Sequence, residues 1–509
     1  MVYIRRALEI VICLFAFIRH LSGNLGPRSG SVKTLSGTIT YDEEWGYMET
    51  RRGGHLFWWI YFVNDGNERP VILWIEGGPG SSSSGFGNFG QVGPKDFAGE
   101  DRQYTLVPFK NSSLYLLYIS LCAPSYFDTN EGAFRLPCAI VMLSCIHTHF
   151  THIFDLQNAD LLFVDAPVGT GFSYVEDDFG FSDQENDVVK DLWYWCKNFF
   201  LLHRRFWNRP LFIFALSYGS KIAVQLAEVK STEILVNFRG VTIGNSLMDG
   251  VDLLLIWGEY LHMLSLVDDY QKGLINRNAQ KCEALKTVGV WENVTDCWLS
   301  TIHSIVKYSG DTSIFNVMKK HREDLWSRSA MELDKRLQIL RRDVAFASYL
   351  ELYDRVYTKE AMKQYMNTVV RQKLQVIPSK VFFEGQRSKV FQKLHADYLK
   401  PSYLVVDKLL QRGVNVAIYV GQLNVEAIGA MKWMFRLGWD GIKEFKQIRR
   451  VSFKAHCSTC GIDGFYKEYK NLQFWQILNA GHMVFYDDPA SSLYMAQHIL
   501  TSQMNDYRT

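Results

Sequence analysis

Two short segments carry residues able to do chemistry together. Phe214-Ala215-Leu216-Ser217-Tyr218-Gly219 follows the apolar run Pro210 to Phe214, and Ala480-Gly481-His482-Met483 follows a second run, Leu472 to Leu478. A small residue two before a serine and a glycine two after it, between strand and helix, is the layout of a nucleophile elbow, which lifts the hydroxyl above a sheet edge. Serine is a poor nucleophile at its own pKa and needs a neighbouring base to take its proton. A histidine just past a late strand stands where that base belongs, so Ser217 and His482 point to acyl transfer. The order Ser…acid…His then requires an acid between them. The blander alternatives are a surface serine in a turn and a core histidine with satisfied nitrogens.

The elements that must position these residues are legible as apolar runs. Gly37 to Phe62 alternates and is aromatic, predicting antiparallel strands that open a sheet. Val71 to Ile75, Ala159 to Val164 and Phe238 to Ile243 are continuous apolar runs, as strands covered on both faces should be. From Pro210 to Gly244 the pattern is strand, elbow, helix (Lys221 to Lys230) and strand, a βαβ unit that implies a parallel sheet. Amphipathic stretches such as Asp268 to Lys286 and Glu360 to Gln375 predict helices. Strand signals return at Val414 to Tyr419 and Leu472 to Leu478, and a helix closes the chain from Pro489. The expected fold class is α/β: a mixed, mostly parallel sheet flanked by helices, forming one domain over residues 24–509 with a helical insertion at about 250–394.

Composition removes other classes. The chain has 509 residues, 48% of them apolar, enough for a large core. A net charge of +2 without a basic block argues against nucleic acid as a partner. No dinucleotide glycine pattern or phosphate loop is present, so no cofactor is expected. Arg5 and Arg6 before an apolar stretch read as a secretory signal over residues 1–23. No later apolar run nears the ~20 residues of a membrane helix, so no membrane span is expected after signal removal. Cys282 and Cys297 could close a short loop as a disulfide, and Asn111 and Asn293 begin glycosylation sequons. These features place the chain in the secretory pathway, secreted or lysosomal. Cys457-x-x-Cys460 lacks the second pair a zinc site needs, and ordinary or paired cysteines are the reading there.

Several motifs in fixed order resemble the serine carboxypeptidases, an α/β-hydrolase family, and most closely its retinoid-inducible branch. They are Trp74-x-x-Gly77-Gly78-Pro79-Gly80-x-Ser82-Ser83, Asp165-Ala166-Pro167-Val168-Gly169-Thr170-Gly171-Phe172-Ser173-Tyr174, Gly244-Asn245-Ser246, Trp257-Gly258-x-Tyr260, Gly421-Gln422-Leu423 and Gly481-His482-Met483-Val484. The likeness runs from about Gly37 to the C-terminus. It implies a hydrolase that releases C-terminal residues from peptides with a free C-terminus through an acyl-enzyme. It also implies an oxyanion hole from the backbone N–H groups of Gly78 and Tyr218, substrate contacts from Glu76, Gly77, Gln91, Leu216 and Met483, no metal, and a homodimer as one assembly that relatives adopt.

The departures from that pattern are sharper than the agreements. The acid should follow Gly421-Gln422-Leu423, and Asn424 stands there. An asparagine can hold the imidazole, but its amide favours the wrong tautomer and supplies no charge for an imidazolium. Glu426 is two residues on, which along a strand end is about 7 Å. Where the resemblance implies acids at positions 216 and 91 and an amide at 76, this chain has Leu216, Gln91 and Glu76. About forty extra residues (116–155) hold Cys122, Cys138, Cys145 and His147-x-His149-x-x-His152; they read as an unstructured insertion or translated intron rather than a metal site, since long structureless loops are uncommon in compact domains. Three functions follow: a weakened carboxypeptidase, a catalytically inactive binding protein on the same scaffold, and an acyltransferase, for which no residue speaks.

Overall fold

The apolar runs become a single twisted sheet of eleven strands in the computed structural model, which describes residues 31–505 apart from 35–36, 52, 65–68, 97, 103–158, 232–235, 321–359 and 457–460. The proposed signal, Asn111, the 116–155 segment and the Cys457/Cys460 pair lie outside the described residues. Strands β1 (Ser31–Thr34) and β2 (Gly37–Thr40) form a separate two-stranded ribbon. The main sheet contains β3 (Asp42–Arg51), β4 (Gly54–Phe62), β5 (Val71–Ile75), β6 (Asp160–Val164), β7 (Tyr174–Val175), β8 (Leu211–Leu216), β9 (Phe238–Gly244), β10 (Asn415–Gly421), β11 (Val451–Phe453), β12 (Gly464–Tyr469) and β13 (Leu472–Ile477). Its order is β11-β12-β13-β10-β9-β8-β5-β6-β4-β3, with β7 paired to β4. The six central strands, β13 through β6, run parallel, and the flanks are antiparallel. This is the mixed, mostly parallel sheet the apolar runs predicted.

The centre is parallel because its strands are apolar on both faces and helices cover both. Every residue of β5, β6, β8 and β10 is buried. Phe212, Ile213 and Phe214 in β8 have no exposed surface, and burying each such side chain is worth ~1.5–3 kcal/mol. The helices Glu185–Leu202 and Gly219–Lys230 follow in sequence around β8. Glycine is required where strands crowd: a Cβ on Gly244 would sit 1.9 Å from the Tyr419 ring of the adjacent strand.

The helical insertion contains Gly250–Met263, Asp269–Val288 and Trp291–Tyr308. Cys282 and Cys297 are bonded, with Cα atoms 5.5 Å apart, and join the latter two helices. Asn293 is exposed in the first turn of its helix, whereas the sequon threonine, Thr295, is buried and donates to the His395 carbonyl. Among the described residues no helix is long and apolar enough to cross a membrane.

Candidate active site

The site lies where the parallel strands end. β8 stops at Leu216, and Ser217 adopts φ +56°, a left-handed conformation costing an L-residue roughly 1–2 kcal/mol. That turn is pinned on both sides: Ser217 N–H donates to Gly244 O at 2.8 Å, and Ser217 O accepts from Ser220 N–H at 3.0 Å. The helix Gly219–Lys230 starts at once, so Ser217 stands half-buried at the tip of a sharp strand-to-helix turn.

The glycine loop comes from the neighbouring strand β5. A Cβ on Gly77 would lie 2.7 Å from Ser217 Cβ, so only glycine lets this backbone reach the serine. Gly78 follows at φ +110°. The Tyr218 ring packs on Tyr398 at 5.8 Å, and its hydroxyl is buried without a hydrogen-bond partner among the described residues.

His482 follows β13 and is 2% exposed. Its backbone N–H donates to Phe315 O at 2.7 Å, and the two rings meet edge to face at 5.2 Å. From the end of β9, Asn245 Nδ2 donates to Gly481 O at 3.1 Å and to His482 O at 2.6 Å. Because Gly244 holds Ser217 and Asn245 holds His482, one strand end ties the backbones of the two residues together. Gly244-Asn245-Ser246 stood out in the sequence, but this clamp was not foreseen; the unusual φ of +36° at Asn245 is its structural mark. Burial alone pushes the imidazole down to about 3, which makes it a weak base as it stands.

Asn424, which follows Gly421-Gln422-Leu423 where an acid was expected, faces the His482 ring. Its Nδ2 lies 2.8 Å from His482 Nδ1. Its Oδ1 accepts the Glu426 backbone N–H at 3.2 Å, which orients the amide with the NH₂ toward the ring. An amide donor facing Nδ1 requires Nδ1 to be the acceptor, so the ring proton sits on Nε2. That is the unproductive tautomer, since a base for serine needs its lone pair on Nε2. The acid loop and histidine turn touch closely: a Cβ on Gly421 would lie 2.1 Å from Gly481 O, and Leu423 N–H donates to Ala480 O at 2.8 Å.

Glu426 corrects the strand-based expectation. It is not about 7 Å off, because the chain turns into the helix Glu426–Met434 immediately after Asn424, with Ala427 N–H donating back to Asn424 O. The turn folds the carboxyl back, and Oε1 lies 3.9 Å from His482 Nδ1. Burial pushes the Glu426 carboxyl up to about 8.

Glu76 and Gln91, expected from the sequence to contact substrate, are hydrogen-bonded to each other. Glu76 Oε2 accepts from Trp74 Nε1 and from Gln91 Nε2, both at 2.9 Å, while Oε1 has no partner among the described residues. Burial pushes Glu76 up to about 7, against the opposing pull of the Trp74, Gly77 and Gln91 donors. Leu216 is fully buried beside the serine and offers the site no acid. Met483 is buried and opens the short turn after His482, with Tyr486 N–H donating to its carbonyl. Sequence reading missed Lys221, which has no exposed surface. It pairs with Glu185 and donates to Asp397 O at 3.2 Å and Tyr398 O at 2.8 Å, beneath the elbow helix. A lysine inside an otherwise apolar helix face is the signal that could have found it. No cluster of three metal-ligating side chains occurs among the described residues.

Comparison with known proteins gives a consistent set of matches. Residues 34–114 and 156–502 match the family model Peptidase_S10, serine carboxypeptidase, leaving 115–155 unmatched. Retinoid-inducible serine carboxypeptidase of Mus musculus is 31% identical over 472 residues, covering 91% of this chain and 92% of the relative. Serine carboxypeptidase-like 51 of Arabidopsis thaliana is 31% identical over 477 residues, covering 90% and 92%. A crystal structure of a prohormone-processing carboxypeptidase from Saccharomyces cerevisiae superposes with a TM-score of 0.65 at 19% identity, covering 92% of both chains, which is a likeness of fold.

Proposed function

Because this chain belongs to the serine carboxypeptidase family, we propose that it is a serine-type exopeptidase that releases C-terminal residues through an acyl-enzyme, slowed by Asn424. The observation carrying this reading is the left-handed Ser217 turn tied through Gly244 and Asn245 to His482. Ser217 Oγ attacks the carbonyl of the last peptide bond while its proton passes to His482 Nε2. The tetrahedral oxyanion accepts the N–H groups of Gly78 and Tyr218. Collapse expels the terminal amino acid, protonated at its amine by His482, and water then hydrolyses the ester by the reverse proton path.

Asn424 weakens the first step twice. It holds the proton on the wrong ring nitrogen, and it gives the imidazolium no charge partner. The same acid-to-amide exchange in a chymotrypsin-type protease costs about four orders of magnitude, or about 5.5 kcal/mol of barrier. At the substrate end, a protonated Glu76 donates to the terminal carboxylate; once ionised, it repels that group. The disulfide and the exposed sequon asparagine support a chain made in the secretory pathway.

A second reading, a carboxypeptidase-like binding protein without turnover, is favoured by the Glu426 N–H that locks the Asn424 amide. A fluorophosphonate probe separates the two, because it reports an activated serine without needing a known substrate. Slow labelling of native protein, lost in Ser217→Ala, is expected. A serine that stays unlabelled from roughly pH 5 to pH 10 leaves the binding-protein reading.

A further inference from the structure

Glu426 is a half-buried acid, its side chain 14% exposed, that the proposed mechanism leaves unused. Its Oε2 is buried with no hydrogen-bond partner among the described residues, and its Oε1 faces His482 Nδ1 at 3.9 Å. Among the described residues its own backbone N–H is the group that favours the ionised form, and none of them is a cation that offsets its burial. A carboxyl oxygen buried without a partner, as Oε2 is among the described residues, is costly and calls for an explanation. What it faces is the ring nitrogen that the Asn424 amide holds in the unproductive state.

We propose that Glu426 is the positioning residue that sets the tautomer of His482: ionised, its carboxylate takes the Nδ1–H and leaves Nε2 free to act as base. This rests on Ser217 and His482 being nucleophile and base. The protons balance. Glu426 gives its proton to solvent, and the single ring proton moves from Nε2 to Nδ1, so the ring stays neutral. During attack Nε2 gains the serine proton, and the imidazolium is matched by the carboxylate at Nδ1. Closing from 3.9 Å to a hydrogen-bond distance of about 2.8 Å breaks no bond at Oε2. The Asn424 NH₂, displaced from Nδ1, turns to donate to the carboxylate that replaces it.

Burial places the Glu426 transition near about 8. The elements packed around it add few competing charges. From the helix Gly250–Met263, Tyr260 is pushed above its ordinary value by burial first and by the Glu426 charge second, its hydroxyl donating to Gln422 O at 3.0 Å. On the same helix Asp252 and the capping Asp249 are held by Arg436 and Lys286. Tyr419 of β10 is pushed up by burial first and then by Glu76.

The test uses full-length protein with ¹⁵N-labelled histidine, the His482 signals being assigned by their loss in His482→Gln. Ring-nitrogen shifts are followed from roughly pH 6 to pH 10 in native protein, Glu426→Gln and Glu426→Met, with fluorophosphonate labelling of Ser217 measured in parallel. In native protein the proton should move from Nε2 to Nδ1 as pH passes about 8, and labelling should accelerate at least ~10-fold. Both variants should keep Nε2–H throughout and show a flat labelling profile. The same tautomer in native protein and variants at every pH overturns the role given to Glu426. A tautomer shift in native protein alone, with Ser217 never labelled, upholds that role while sinking the exopeptidase reading.

Discussion

Replacing Asn424 by aspartate tests the central chemical argument with a nearly isosteric change. The new carboxylate oxygen would take the position of Nδ2, 2.8 Å from His482 Nδ1. The other oxygen would keep the Glu426 N–H now bound to Oδ1. No cavity opens and no bulk is added, so packing is unaffected. Two unit charges at that distance in an effective dielectric near 20 attract by about 6 kcal/mol. That figure agrees with the roughly four decades that the acid contributes in a comparable triad. Part of it is lost because the new carboxylate must itself ionise in a buried position, Asn424 being 1% exposed. We therefore expect kcat/KM on N-blocked dipeptides to rise about 100- to 1,000-fold near pH 6, carried by kcat with little change in KM. The assay is release of the C-terminal amino acid from a blocked dipeptide, with fluorophosphonate labelling as a second readout. A folded Asn424→Asp protein with less than about threefold gain in both would refute the tautomer argument.

Other consequences are equally direct. KM for substrates with a free C-terminus should rise roughly tenfold or more as pH passes about 7, where Glu76 ionises, and Glu76→Gln should flatten that rise while leaving kcat nearly unchanged; a KM in native protein that ignores pH contradicts the role of Glu76. Lys221→Ala should cost about 3–5 kcal/mol in urea unfolding because it strands Glu185 in the interior, whereas Lys221→Met with Glu185→Leu should recover most of it. Equal losses in the single and double variants would show that packing, not charge, holds that region.

The sequence showed the sheet because its central strands are covered on both faces and so read as unbroken apolar runs, as at Leu211–Leu216 and Asn415–Gly421. Ser217 and His482 were legible because a sharp turn leaves a residue pattern. The relations among polar groups were not. Asn245 reaches Gly481 and His482 across more than two hundred residues, and Lys221 reaches Asp397 and Tyr398 across nearly as many. The distance to Glu426 was misjudged because one helical turn beginning at Val425 replaces the extended path assumed for it. The antiparallel strands β11 and β12 also escaped, since Val451 and Ser452 are exposed and carry no apolar run.

Glu76 and Glu426 have a consequence for the durability of the molecule. Each carboxyl is held well above its ordinary value, so the folded chain keeps protons that the unfolded chain has shed. The sign is fixed by linkage: between about pH 4.5 and the folded values of about 7 and about 8, the native state binds more protons, and stability falls as pH rises. At 1.36 kcal/mol per unit, full ionisation in place costs on the order of 3 kcal/mol at Glu76 and 5 kcal/mol at Glu426. These two acids oppose the usual pattern of acid unfolding. His482, held down to about 3 by burial, works the other way: from about pH 6.5 downward the unfolded chain takes up a proton that the folded ring refuses, so the gain from the two acids is partly offset.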